Sequence, residues 1–218
     1  MKTYIDSMNT PDELLQAYTT MFLFLGSSVT LTPREGGLPK FCHQGFLRNL
    51  PVTSNNQRFQ EASRLLKSPC HHAGQCMKIL TENYNALFCS DSSAKASPVA
   101  STWKFSNTED ESRSQTLKTL YDRYGFQKDE KCELGYDHLS MELLFVNMLL
   151  EKYLTEDDYE IKEMIRKDLS SFISDELLTW LPFWARAVSE GSATKCYTGI
   201  AGLVVGSLED VKEILNRR

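Results

Sequence analysis

The sequence predicts an all-α protein, a single globular bundle of about nine to eleven helices. Three observations carry that expectation. Helix-capping signals recur along the chain. Apolar–polar alternation is poor, and β-branched residues cluster only at Val204-Val205. Six of the seven prolines precede residue 99, which predicts short helices and bent loops first and longer helices afterwards.

The elements follow in chain order. Thr10-Pro-Asp-Glu13 is a capping box with proline at the first helical position, and it opens an apolar segment over 14–25. Ser54 is placed to cap a helix over 55–66. Residues 74–88 carry Met77, Leu80, Tyr84, Leu87 and Phe88 at helical period. The Ser- and Ala-rich stretch 90–101 reads as a loop, long enough to be a candidate for function. Thr108 starts a helix to Tyr124, and Gly125 suits its end. Asp137 is placed to cap a helix over 138–153. Thr155-Glu-Asp-Asp158 starts the next, with acids where the helix dipole favours them. Ser207-Leu-Glu-Asp210 reads as the opening of a last short helix.

Two patterns predict packing. Residues 139–150 are apolar on most sides, with Leu139, Leu143, Val146 and Leu150 on one stripe and Met141, Phe145 and Met148 on another, which places this helix inside the bundle. Gly199, Gly202 and Gly206 share one helical face and permit close approach of a second helix.

Composition narrows the function. Twenty-nine acids against twenty-four bases give a net charge of −5, the wrong sign for a protein that tracks phosphates, so no nucleic acid is expected as partner. No apolar run reaches the roughly 18 to 20 residues that span a bilayer, and residues 1–10 do not read as an export signal. The six cysteines are therefore expected to be reduced, and the protein cytoplasmic. Cys42, His43, Cys70, His71, His72 and Cys76 are the candidate metal ligands, with donor types that suit zinc but spacing that does not. Asp137-His138 admits two readings, an oriented general base or a helix cap followed by a first-turn histidine. The acids Glu156, Asp157, Asp158, Glu160 and Glu163 read as a solvated helix face, and Trp180 with Trp184 as core or groove lining. No nucleophile elbow, phosphate-binding loop, HExxH or dinucleotide fingerprint is present. The residues thus point to a binding protein with no catalytic site and no cofactor of its own. A Cys/His metal or redox protein and a plain helical adaptor are the alternatives.

Four stretches in order add a resemblance. They are Tyr84-Asn-Ala-Leu-Phe88 followed by Pro98-Val-Ala-Ser101-Thr-Trp103; Leu120-Tyr-Asp-Arg-Tyr-Gly-Phe126; Tyr136-Asp-His-Leu-Ser-Met-Glu-Leu-Leu-Phe145; and Leu177-Leu-Thr-Trp180-Leu-Pro182-Phe with Cys196-Tyr197 and Ala201 downstream. Together they resemble the TorD/DmsD family of molybdoenzyme maturation chaperones over about residues 10 to 215. The resemblance implies one all-helical domain over 1–218, with a loop near 90–106 between its halves. It implies a cytoplasmic, non-enzymatic chaperone that binds an apo-molybdopterin oxidoreductase, its twin-arginine signal peptide, or both, until cofactor insertion. It implies a monomer or a domain-swapped homodimer. Leu87 and Phe88 match the family's apolar groove pair, Ser101 its loop serine, Trp103 the aromatic near it, and Asp137-His138 the pair implicated in peptide recognition. Trp180, Pro182 and Tyr197 match its structural signature. Leu134 and Gly135 stand where the family usually has Glu and Pro, and Glu176 stands where a histidine is frequent.

Overall fold

A computed structural model describes residues 10–36, 38, 49–67, 75–89, 94–103, 110–129 and 131–217. The all-α expectation holds. Among the described residues there are eight α-helices: α1 (Pro11–Thr30), α2 (Gln57–Lys67), α3 (Cys76–Tyr84), α4 (Asp110–Arg123), α5 (Leu139–Thr155), α6 (Tyr159–Ser171), α7 (Leu181–Gly191) and α8 (Lys195–Asn216). Wider π turns extend α3 over Asn85–Cys89 and α6 over Phe172–Leu177, and a 3₁₀ turn spans Ala100–Trp103. Extended pairing among the described residues is limited to one bridge, Val99 with His138.

The count of nine to eleven is corrected in one place by the last helix. Ser207-Leu-Glu-Asp210 starts nothing. The apolar period runs unbroken from Ile200 through Leu203, Val204, Leu208 and Val211 to Leu215, so burial holds α8 together across a stretch whose local signal reads as a start. Ser207 lies fully buried in the middle.

The caps match the sequence in part. At α1 the Thr10 hydroxyl accepts the Glu13 amide at 3.2 Å, and the Glu13 carboxylate accepts the Thr10 amide at 2.7 Å. The start read at Thr155-Glu-Asp-Asp158 falls at the end of that stretch: Thr155 closes α5, and Asp158 caps α6, its Oδ1 accepting the amides of Glu160 and Ile161 at 2.9 and 3.1 Å. Gly125 follows α4 at φ 69, where an L side chain would be strained. At α2 the cap moves two residues on. Asn56 Oδ1 accepts the Phe59 amide at 3.1 Å, while Ser54 Oγ accepts the Asn56 amide at 2.9 Å in the turn before it.

α5 is the enclosed helix. Of its first twelve residues only Leu144 is exposed and Met148 half-buried. α1 packs along it where Gly26 meets Ser140, whose hydroxyl donates to the Gly26 carbonyl at 2.9 Å and also bonds the Thr30 hydroxyl. Elsewhere Phe145 enters an aromatic cluster, with ring centroids 4.5 Å from Tyr121, 5.1 Å from Phe172 and 5.5 Å from Phe126.

The glycine stripe of α8 packs on α2 as the spacing predicts. A Cβ on Gly199 would meet Leu66 Cγ at 2.6 Å, one on Gly202 would meet Ala62 Cβ at 2.8 Å, and one on Gly206 would meet the Phe59 backbone nitrogen at 2.9 Å. Tyr18 of α1 closes the third side by donating to Asp210 of α8 at 2.6 Å.

Two substitutions test this packing by urea denaturation. Gly206→Ala must push backbone away and is expected to cost about 1–3 kcal/mol. Gly26→Ala, whose new Cβ would lie 3.8 Å from its nearest neighbours, is expected to be neutral or to stabilise by up to about 1 kcal/mol.

Candidate functional site

The site is built around residues 94–103, a short segment held by backbone hydrogen bonds to three helices. The Ala96 amide donates to the Leu87 carbonyl at 3.0 Å, and Lys95 to Ala86 at 3.2 Å, which ties the segment to the π turn after α3. The Trp184 indole of α7 donates to the Ala96 carbonyl at 3.2 Å. The Leu139 amide donates to the Pro98 carbonyl at 2.8 Å, joining the segment to the start of α5. The Trp103 indole folds back onto the Ser97 carbonyl at 2.8 Å.

Asp137 closes the arrangement. Its carbonyl accepts the Ala100 amide at 3.0 Å, and its Oδ2 accepts the Ser101 amide at 3.1 Å. This corrects the assignment of Asp137 as the α5 cap. The capping residue is His138, whose Nδ1 accepts the Ser140 amide at 3.2 Å. The Asp137 carboxylate serves the amides of the 3₁₀ turn instead, because the Val99–His138 bridge sets that turn beside it.

The segment thus brings four sequence-selected positions together: Ser101, Trp103, Asp137 and His138. Leu87 and Phe88 join through the π turn, but their surroundings differ. Leu87 is fully buried and presents no surface. Phe88 is half-buried, edge-on to Tyr84 and to Tyr197 at 5.5 Å each and stacked near Trp184 at 6.4 Å. Ser101, Trp103 and Asp137 are half-buried, and His138 is buried.

Burial sets the ionisation of His138. Desolvation lowers its pKa to about 4, against a smaller opposing pull from Asp137. The imidazole is therefore neutral near pH 7, and since Nδ1 accepts a hydrogen bond, its proton sits on Nε2. A neutral imidazole next to a carboxylate can offer a hydrogen bond while the carboxylate supplies charge.

Trp184, which the sequence reads as core or groove lining, is in the core and also holds the segment. Its ring is fully buried, yet its N–H fixes the 94–103 segment. The partner is a main-chain carbonyl, so no side-chain pattern could have shown it. Of the candidate metal ligands, Cys42, His43, Cys70, His71 and His72 lie outside the described residues, and Cys76 begins α3 half-buried. Among the described residues no three His, Cys, Asp or Glu side chains gather as metal donors. No helix among them is long and apolar enough to cross a membrane.

Comparison with known proteins bears on the same region. Residues 54–186 match the family model described as nitrate reductase delta subunit, a span that holds the π turn, the 94–103 segment and the start of α5. The chain is similar to chaperone protein TorD of Photobacterium profundum, at 26% identity over 161 residues, covering 73% of this chain and 74% of that one. It is similar to chaperone protein TorD of Vibrio cholerae, at 24% over 138 residues, covering 63% and 62%. A third similarity, to chaperone protein TorD of Vibrio parahaemolyticus, is 28% over 93 residues, covering 42% and 43%.

The buried histidine makes stability depend on pH. Its folded pKa lies below the unfolded value, so its contribution is complete above about pH 6.5 and is lost as pH falls toward about 4. His138→Asn keeps a capping side chain and removes the titration. The difference in unfolding free energy between wild type and this variant is expected to turn against the wild type between pH 6.5 and 4. A difference that stays flat across that window contradicts a neutral buried His138.

Proposed function

The chain belongs to the nitrate reductase delta subunit family, and on that premise we propose that it is a molybdoenzyme maturation chaperone. It binds the twin-arginine signal peptide of an apo-molybdopterin oxidoreductase, and the catalytic subunit that carries it, in the cytoplasm before export. It holds the client until the cofactor is inserted and catalyses no step itself. The observation that carries this reading is the assembly of Ser101, Trp103, Asp137 and His138 around one segment, next to the aromatic edge at Phe88.

The chemistry of the ligand fits that assembly. A twin-arginine leader offers two guanidiniums and then an apolar stretch. Guanidinium groups pair best with carboxylates, and Asp137 keeps Oδ1 beside the Oδ2 that holds Ser101. The apolar stretch needs a surface that excludes water, which Phe88 and Trp103 supply as half-buried aromatics. His138 donates a hydrogen bond from Nε2 to the peptide. Leu87, wholly buried, acts by fixing Phe88 in the π turn and not by touching the ligand. The net charge of −5 favours a cationic partner over the whole surface.

Titration of a synthetic twin-arginine leader against wild type and Asp137→Asn tests the assignment. The variant is expected to bind about five- to tenfold more weakly at low ionic strength, with a smaller loss at high salt. An unchanged affinity at both salt concentrations removes Asp137 from the site. Loss of the two arginines from the leader is expected to weaken binding in the wild type, whereas a helical adaptor with no signal-peptide role is indifferent to them.

A further inference from the structure

Two glycines between α4 and α5 differ in what requires them. Gly125 has φ 69, and a Cβ added there would meet nothing within 4 Å, so backbone conformation alone accounts for it. Gly135 lies outside the left-handed region, and its backbone accepts an L side chain. A Cβ built on Gly135 would instead lie 2.9 Å from Asp137 Oδ1. Apart from the flanking residues, it would come within 4 Å of no other described atom. Gly135 is exposed and Asp137 half-buried, so the glycine is an open side of the carboxylate.

The main chain at this point is held in place. Four consecutive carbonyls accept hydrogen bonds: Leu134 from the Lys128 ammonium at 2.8 Å, Gly135 from the His138 amide at 3.2 Å, Tyr136 from the Tyr121 hydroxyl at 3.0 Å, and Asp137 from the Ala100 amide at 3.0 Å. Lys128 also sits 5.3 Å from the centre of the Tyr136 ring, and Tyr121 is fully buried beside Phe145. A side chain at position 135 would therefore displace the Asp137 carboxylate, the free end of a rotatable side chain, before it moved the backbone. That carboxylate has a set orientation. Its Oδ2 accepts the Ser101 amide at 3.1 Å, and among the described residues no hydrogen bond reaches Oδ1.

We propose that Gly135 is a positioning residue for the cationic ligand of Asp137. Having no side chain, it lets the carboxylate rest on the Ser101 amide while Oδ1 stays open to an N–H donor arriving from solvent. The inference rests on the reading of Asp137 as the acceptor for a guanidinium. A charged donor approaches a carboxylate oxygen to about 2.7–2.9 Å, so a methyl group at position 135 competes with it for the same side of Oδ1. Rotation away from that methyl takes Oδ2 off the Ser101 amide. The negative charge then remains but loses its fixed direction, and the ligand must order it on binding.

The test joins amide NMR of the full chain to titration of a synthetic twin-arginine leader at low ionic strength. Gly135→Ala and the bulkier Gly135→Val are compared with wild type, with Asp137→Asn, and with Gly135→Ala combined with Asp137→Asn. In Gly135→Ala without ligand, the Ser101 amide is expected to shift and to exchange faster with solvent, while the urea midpoint stays that of wild type because the position is exposed. Leader affinity is expected to fall about threefold in Gly135→Ala and further in Gly135→Val, and the combined variant to bind about as weakly as Asp137→Asn alone. The proposal alone is overturned if Asp137→Asn weakens binding while the Gly135 variants bind as wild type does. It is likewise overturned if the Ser101 amide is unchanged, or if the two losses add, which would make Gly135 act independently of Asp137. If Asp137→Asn binds the leader as tightly as wild type, the reading of Asp137 as acceptor fails and the proposal falls with it.

Discussion

A helix that is apolar around its circumference is stable in water only when other elements enclose it, and α5 imposes that requirement on the whole bundle. α1 covers it where Gly26 meets Ser140, and the aromatic cluster of Tyr121, Phe126 and Phe172 covers it at Phe145. The polar residues that interrupt its apolar run, Ser140, Glu142 and Asn147, are themselves buried. Ser140 repays its burial with a hydrogen bond to the Gly26 carbonyl, and Asn147 bonds Glu151 one turn on. Enclosure fixes the direction of α5 and so fixes its first turn. The Asp137–His138 corner inherits its position from that constraint.

The corner in turn depends on main-chain hydrogen bonds more than on side-chain contacts. Residues 94–103 carry no regular element apart from the 3₁₀ turn, yet their amides and carbonyls find partners on the π turn, on α7 and at the start of α5. Buried backbone groups cannot go unpaired without large cost, so the segment has little freedom to move while those partners stay in place. A π turn is a less favourable helix and is often found at functional positions. Here it lets Leu87 enter the core while its neighbour Phe88 stays at the edge.

Much of the fold was legible in the sequence, and the exceptions share a cause. The capping box at Thr10, the stop at Gly125 and the glycine stripe were readable because each depends on residues within one or two turns, or on one helical face. Asp137 was misread as a cap because an aspartate before a helix satisfies the local rule. The amides of Ala100 and Ser101, distant in sequence, claim it, and that leaves the cap to His138. Ser207 was misread because burial against the core outweighs a start signal that exists only locally. Of the residues singled out for the site, Ser101, Trp103, Asp137 and His138 lie on or beside the 94–103 segment. The burial of Leu87 and the role of Trp184 come from tertiary packing, which leaves no period or spacing in the chain.

The central claim is that this chain guards an apo-oxidoreductase through its leader. It is tested most directly by capturing the tagged protein from its own host grown without oxygen and identifying what is bound by mass spectrometry. The account predicts one strongly enriched molybdopterin oxidoreductase that still carries an uncleaved twin-arginine leader. A bait that returns alone, or with partners that lack such leaders, contradicts it.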